Sequence, residues 1–401
     1  MTAPFPLTPT RDAGLARLAE FLPNAGRAYA ARRNYDYGPD NRANISLLSP
    51  YLRRRLITEA ETVDAVLGAH SFDAAEKFVQ EVCWRTYWKG WLEARPQVWS
   101  AYGSSLRALN AELECDRAFR KRYDAAVAGA TGVEPFDAFA HELVETGYLH
   151  NHARMWFASL WTHTLGLPWE LGADFFFRHL IDADPASNTL SWRWVVGLQT
   201  AGKTYLARAD NIEKYTAGRF RPRGLASDAP PPPAPNHPPA MAAPQPRPLT
   251  PGRVALILHE DDLHAESLRL EGVEVAAVVA LDNADAYERR AEAASRFTEL
   301  ALQDGLARAR RVFGCEGAML DRRAVARWLT DRGLSAAVAA YAPVGPARDA
   351  LDAVRAELGA GGGRLELVLR PWDAAFWPHA TRGFFQLKDK IPQTLARLRA
   401  A

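Results

Sequence analysis

Apolar positions recur at helical spacing through the first half of the chain. In SFDAAEKFVQEVCWRTYWKGWLEA, Phe78, Glu81, Trp84, Arg85, Trp88 and Trp91 fall at i, i+3 and i+4 intervals, which places them along neighbouring strips of one helix. The pattern predicts an almost wholly α-helical domain over residues 1–222. From residue 252 the period changes. RVALILH and VEVAAVVAL are short, β-branched apolar runs, SAAVAAYA and RLELVLRP repeat the type, and FTELALQDGLARARRVFG and DALDAVRAELG alternate with them in helical patterning. Strands alternating with helices predict an α/β, Rossmann-like parallel sheet over residues 252–401. Residues 223–251 are Pro-rich and nearly free of large apolar side chains, the composition of an extended polyproline-type linker. No GxGxxG follows the first strand, and GAGGG at 359–363 reads as a helix stop and turn. There is no internal repeat.

Composition narrows the class without deciding it. A chain of 401 residues with 48% hydrophobic and 24% charged content has room for two globular domains. A net charge of +2 is too small to announce a polyanion partner, so any such partner must be argued from local clusters. Cys83, Cys115 and Cys315 are widely spaced and form no CxxC pair, which suits a reducing compartment and predicts no metal site. MTAPFPLTPTRDAG lacks a basic segment followed by an apolar run, and no stretch reaches membrane-spanning length. The expectation is a cytoplasmic monomer with no membrane partner.

Candidate chemistry concentrates between Glu145 and Trp194, where carboxylates, amides and five tryptophans fall within fifty residues. Indoles carry a donor that needs a partner and are awkward as simple filler, so a flat aromatic ligand is expected. Asn151 and Arg154 lie three apart and share a helix face. Asp182, Asp184 and Asn188 follow in LIDADPASN, where Pro185 and Ser187 suggest a helix start that Asp184 would cap. Glu81 and Arg85, four apart, predict an ion pair.

Taken together, these motifs resemble the flavin-binding helical domain of the cryptochrome/photolyase family, over residues 27–215. Tyr29 and Arg33 in YAARRN match the residues ahead of the family's phosphate-binding segment. That segment is NISLLSPYL here, with Ser46, Leu48 and Ser49 at the positions that hold the flavin pyrophosphate and Ile45 in place of the usual Thr. Phe78, Glu81, Trp84 and Arg85 match the family's aromatic, Glu and Trp-Arg pattern. Tyr148 to Met155 match its Trp-Met-His-Asn-Arg-x-Arg-Met, and Asp182, Asp184 and Asn188 match its Asp-x-Asp followed by Asn. The resemblance implies FAD as cofactor. It sets Asn188 against the flavin N5, Asp182 and Asp184 on the isoalloxazine and the ribityl or adenine side, and Arg154 near N5 and O4, where a fixed guanidinium suits an anionic reduced ring.

The same resemblance implies UV-damaged DNA as partner, with the lesion flipped out of the duplex. Trp84 and Trp194 occupy the family's lesion-stacking positions, Glu81 and Asn151 those that hydrogen-bond the lesion, and Met155 its lesion-contacting position. His152 replaces an Arg, which weakens that contact to the lesion or its phosphate or makes it pH-dependent. Trp192 and Trp169 match the inner and middle members of the electron-transfer chain. No Trp lies between Trp99 and Trp156, so the outer member is absent from its expected place and Tyr123 is a candidate substitute. The basic runs Arg53 to Arg55 and Lys203 to Arg223 are candidate DNA-facing rims, the alternative being solvated faces.

The α/β segment resembles the family's antenna-bearing domain, placed after the helical domain instead of before it, as in a circular permutation. The implied function is a light-driven, FAD-dependent photolyase, a carbon–carbon lyase that splits cyclobutane pyrimidine dimers. The runner-up is a cryptochrome-like blue-light photoreceptor that binds FAD without repair, and a second, antenna chromophore is left open.

Overall fold

The computed structural model describes residues 7–200, 202–233, 237–287 and 289–400. From Arg11 to Tyr215 the regular elements are all helical. The longest, Phe72–Glu93, starts where the Ser71 hydroxyl accepts the Ala74 amide and ends at Ala94, just ahead of Pro96. Of the predicted strip it buries Phe78, Trp88 and Trp91, together with Val82 and Cys83, while Glu81, Trp84 and Arg85 stay half-buried. Gly90 lets this helix approach the C-terminal segment: a β-carbon there would lie 2.7 Å from the Trp377 ring and 2.9 Å from Ala380.

Past residue 252, five parallel strands form one sheet among the described residues, in the order β3-β2-β1-β4-β5. They are β1 (Gly252–Leu258), β2 (Val273–Asp282), β3 (Glu316–Asp321), β4 (Ala336–Ala340) and β5 (Arg364–Val368). Helices Glu292–Phe313, Arg322–Thr330 and Pro346–Ala360 carry the later crossovers, as a parallel sheet requires. The predicted stop at GAGGG is where the last of these helices ends, at Ala360. Both sheet faces are covered, which explains the near-continuous apolar runs. Ala255 and Ile257 of β1 pack with Val325, Leu329 and Val354. Val254, Leu256 and Leu258, on the opposite face, belong to the same apolar cluster as Leu18, Phe78 and Trp91. The sheet and the helical half therefore share one core.

The β1–β2 connection has no long helix. It carries His259, Glu260, Asp261 and Asp262, all buried, across the carboxyl ends of β1 and β4, where the chain order reverses and such sheets bind ligands. The His259 Nε2 lies 3.0 Å from the Ala340 carbonyl, so the connection itself fills this crevice. Its acids meet the run Arg53–Arg55. The expectation of a DNA-facing rim there is overturned: these arginines are 1%, 2% and 1% exposed. Arg53 pairs with Asp261, and Arg54 donates to the Ile181 carbonyl at 2.5 Å and to Thr298 at 2.6 Å. Arg55 reaches Glu59 at 3.0 Å, Asp262 at 3.2 Å and Asp373 at 2.7 Å. Buried cations need such partners. Arg55 also has a left-handed backbone, φ 47°, a strained state for a non-glycine residue that surrounding contacts must hold.

Residues 223–251 contain no helix or strand where described, but they are strapped down. Ala229 accepts the Thr204 hydroxyl at 2.7 Å, Pro238 accepts Arg95 at 3.0 Å, and the Met241 amide donates to Ala94 at 2.9 Å. Among the described residues, no helix is long and apolar enough to cross a membrane.

The buried arginine cluster generates a stability prediction. Arg55→Ala leaves Glu59, Asp262 and Asp373 without their shared cation, and removing one member of a buried ionic set costs about 3–5 kcal/mol. Burial alone would raise Glu59 and Asp262, but neighbouring cations hold both below the ordinary carboxylate value. That contribution is present above about pH 4 and lost as pH falls through the lower folded values. Denaturant titrations of both proteins should show a full gap from neutral pH down to about pH 4, narrowing only as pH falls further.

Candidate functional site

A cavity of about 720 Å³ opens into the helical half, a size typical of cofactor sites. Several stretches of chain line it. Tyr29 and Arg33 come from the start, with Ser46, Leu48 and Ser49 from the turn after Asn44. Leu47 in that turn has φ 56°, which bends the backbone sharply between the serines. Phe78, Glu81, Trp84 and Arg85 come from the long helix. Asn151, His152, Arg154 and Met155 come from helix Asn151–Ser159, and Asp182, Asp184, Asn188, Trp192 and Trp194 from the turn and helix ending at Val195. Every site residue expected from the sequence lines this one cavity except Trp169.

Its polar wall is a set of alternating charges. Arg154 donates to Asp182 at 3.0 Å and to the Leu149 carbonyl at 2.9 Å, so its guanidinium is fixed. Burial would raise the Asp182 carboxyl, but Arg154 overrides burial and holds it below the usual range. Asp184 caps helix Pro185–Val195, one oxygen accepting the Ser187 amide at 2.8 Å. Its other oxygen lies 3.5 Å from Lys89 and 3.7 Å from Arg85. Those cations outweigh burial and keep Asp184 ionised well below its ordinary value. The predicted Glu81–Arg85 pair does not form. Glu81 instead accepts Arg33 at 2.7 Å, with 31% of its side chain still open to the cavity. Enclosure by protein pushes the Glu81 carboxyl upward against the pull of Arg33. Asn188 donates through Nδ2 to the Ala173 carbonyl at 2.7 Å, leaving Oδ1 as acceptor.

The two tryptophans expected to clamp a lesion both line the cavity, yet each already has an aromatic partner. Trp194 stacks on Tyr205 at 5.5 Å between centroids. Trp84 lies 3.7 Å from Phe384 with 12° between planes, a close stack contributed by the C-terminal helix Phe384–Lys388. The next residue, Phe385, reaches the cavity wall itself. His152 is likewise engaged, stacked on Trp156 at 4.4 Å and 2.9 Å from the Asn34 carbonyl.

Trp192 is buried on the cavity wall. Gly172 makes room for it, since a β-carbon there would meet the indole at 2.3 Å. Trp169 lies outside the lining, 5.6 Å from Tyr102, which in turn lies 5.4 Å from the half-buried Trp99. Tyr123 sits beside Trp161 at 6.1 Å and accepts Arg178 at 2.8 Å. Of the basic run Lys203 to Arg223, Arg208, Arg219 and Arg221 pair with Asp210, Asp36 and Glu213, while Lys203, Lys214 and Arg223 are exposed.

Two site residues escaped the sequence reading. Lys89 stands four residues beyond Arg85 on the same helix face, a signal that was available. Phe385 lies 191 residues beyond Trp194 in sequence, and no motif marked it.

The chemistry of the wall fits FAD. Arg85 Nη1, Asp184 Oδ2, Ser187 Oγ and Trp192 Nε1 belong to lining residues and are buried without completing a hydrogen bond, a mixed set of donors and acceptors left for a ligand. Residues 78–219 match the family model described as the FAD binding domain of DNA photolyase. The deoxyribodipyrimidine photo-lyase of Streptomyces griseus is 30% identical over 212 residues, 49% of this chain and 45% of that protein. The cryptochrome DASH of Gloeobacter violaceus is 31% identical over 189 residues, 46% of this chain and 37% of that protein. A class III photolyase structure from Agrobacterium tumefaciens aligns with TM-score 0.43 and 27% identity over 52% of this chain and 43% of that one. The matched region thus spans less than half the length of these relatives. With its motifs gathered on one cavity and residues 78–219 matched in sequence, the helical half carries an FAD-binding domain similar to that of the cryptochrome/photolyase family.

Proposed function

We propose that this protein is a light-driven DNA photolyase that splits cyclobutane pyrimidine dimers. The observation that supports the reading is one cavity lined both by buried Asp182, Asp184 and Asn188, with Arg154 held on Asp182, and by the more open Glu81, Asn151, Met155 and Trp194, suited to a base. Bound and reduced, FAD supplies an electron to the lesion on illumination and takes it back. The residues do the rest. Ser46 and Ser49, with Arg33 beside them on the lining, suit the diphosphate. Arg154, locked by Asp182 and Leu149, presents a fixed positive charge without reorganising. Asn188 is held by Ala173 so that its carbonyl oxygen is the atom left to accept. Glu81, held by Arg33 and partly open to the cavity, places a carboxyl where it faces the polar edge of a base. Asn151, at the first turn of its helix, offers both a donor and an acceptor.

In this reading the α/β half is the antenna-type domain, permuted to the C-terminal side across residues 223–251, and UV-damaged DNA is the partner. One observation favours the alternative, a blue-light photoreceptor: Phe384 already occupies a face of Trp84 that a lesion would use.

Two measurements test the reading. Asp184→Asn keeps the helix cap, since Asn and Asp cap equally well, but removes the charge facing Arg85 and Lys89. FAD affinity is expected to fall about tenfold or more, read from the flavin-to-protein ratio after dialysis. Chemically reduced, FAD-loaded protein, illuminated with a dimer-containing oligonucleotide, is expected to restore the pyrimidines. Glu81→Gln should slow that repair at least about tenfold at unchanged flavin content. No dimer loss from the fully reduced protein overturns the lyase reading in favour of the photoreceptor.

A further inference from the structure

Phe385 is 74% exposed, the most open of the large hydrophobic side chains that stand out to solvent among the described residues, and it lines the cavity alongside Met155 and Trp194. Single exposed apolar residues are common on protein surfaces. This one differs because its backbone is pinned and its neighbour has taken over another residue's place. Helix Phe384–Lys388 is anchored by Phe384, 4% exposed, and Leu387, fully buried. Just upstream, the Arg382 carbonyl accepts Tyr87 at 2.7 Å and the Thr381 carbonyl accepts Arg95 at 2.8 Å. Lys388 lies 3.6 Å from Glu76 on the long helix. Phe385 is therefore held outward by a fixed helix and is not the tip of a loose tail.

The anchoring stack also changes what Trp84 is able to do. Its indole is covered by Phe384 at 3.7 Å and packed against Trp88 at 5.3 Å and Tyr87 at 5.6 Å. A planar ligand cannot stack where Phe384 lies without prising out two buried apolar side chains. Phe385, the next residue, has an open ring, and the exposed Arg382 and Lys390 flank it on the same segment, where phosphates would be met by positive charge.

We propose that Phe385, and not Trp84, is the aromatic wall on which an extruded pyrimidine stacks as it enters the cavity. The proposal rests on the reading of this cavity as a base-binding site, and it gives the C-terminal half a direct part in substrate recognition. Stacking on an aromatic side chain is sequence-tolerant and strong enough to show on truncation.

The test uses the full, FAD-loaded chain and fluorescence-labelled oligonucleotides with and without a single thymine dimer. Phe385→Ala is expected to weaken dimer binding roughly five- to a hundredfold, to leave undamaged-DNA binding within about twofold, and to leave flavin content unchanged. Phe385→Trp should restore binding. Because the side chain is solvent-exposed, neither change threatens folding. Wild-type affinity in Phe385→Ala overturns the proposal while leaving the base-binding reading intact, as does an equal loss for damaged and undamaged DNA, or a larger loss in Trp84→Phe. A wild-type protein that does not distinguish the dimer overturns the base-binding reading and the proposal with it.

Discussion

The buried arginines Arg53 and Arg55 are the constraint on which the arrangement of this chain depends. Arg53 reaches Asp261, and Arg55 is shared between Glu59 of its own half and Asp262 and Asp373 of the other, so the α/β half completes the charge pairing of the helical half. Asp262 is shared further with Arg370, through contacts at 2.5 Å and 2.7 Å, which ties the segment after β5 to the same point. Ionic sets of this kind are weak evidence for net stability, because desolvation offsets most of the attraction. Their geometric demand is strict, however, since a partner displaced by a few ångströms leaves a bare charge in the core. Register between the halves follows from that demand more than from the apolar contacts, which tolerate sliding.

The same logic runs through the cavity at smaller scale. Asp184 serves helix and ligand site at once: one oxygen ends the run of unsatisfied amides at the helix start, and the other faces two cations. A helix N-terminus is already positive, so the carboxylate is stabilised from both directions and stays ionised while buried. Arg154 and Asp182 form a second such pair. The wall therefore presents fixed charges that need no water, a requirement for any group that must act beside an excited or reduced chromophore.

How much of this was legible follows from how local each determinant is. The long helix was visible because its buried strip repeats at helical spacing, and the strands because a sheet covered on both faces keeps them continuously apolar. Strand order was not visible, since pairing is set by crossovers and not by composition. The residues expected from motifs line the cavity except Trp169, which the helix places against Tyr102, away from the lining. The Glu81–Arg85 pair was a sound local inference that lost to a partner 48 residues away, Arg33, once Arg85 was drawn toward Asp184. Arg53 to Arg55 misled for the same reason. A basic run is usually solvated, and nothing near it in sequence shows that its carboxylates lie more than 200 residues downstream.

What the C-terminal half contributes is best judged from the shared core. Val254, Leu256 and Leu258 project from β1 into the cluster that holds Phe78 and Trp91, the residues that shape the long helix behind the cavity. Trp372 donates to the Thr86 hydroxyl at 2.9 Å, the residue that follows Trp84 and Arg85 on that helix. A half attached only by a flexible linker would touch neither. The bonds at Ala229, Pro238 and Met241 tie the connection between the halves to the helical surface, and a loop held at such points returns less entropy when the halves separate. The two halves therefore behave as one folded unit around the flavin site, with the element that follows the sheet placed at the wall of the cavity by the packing behind it.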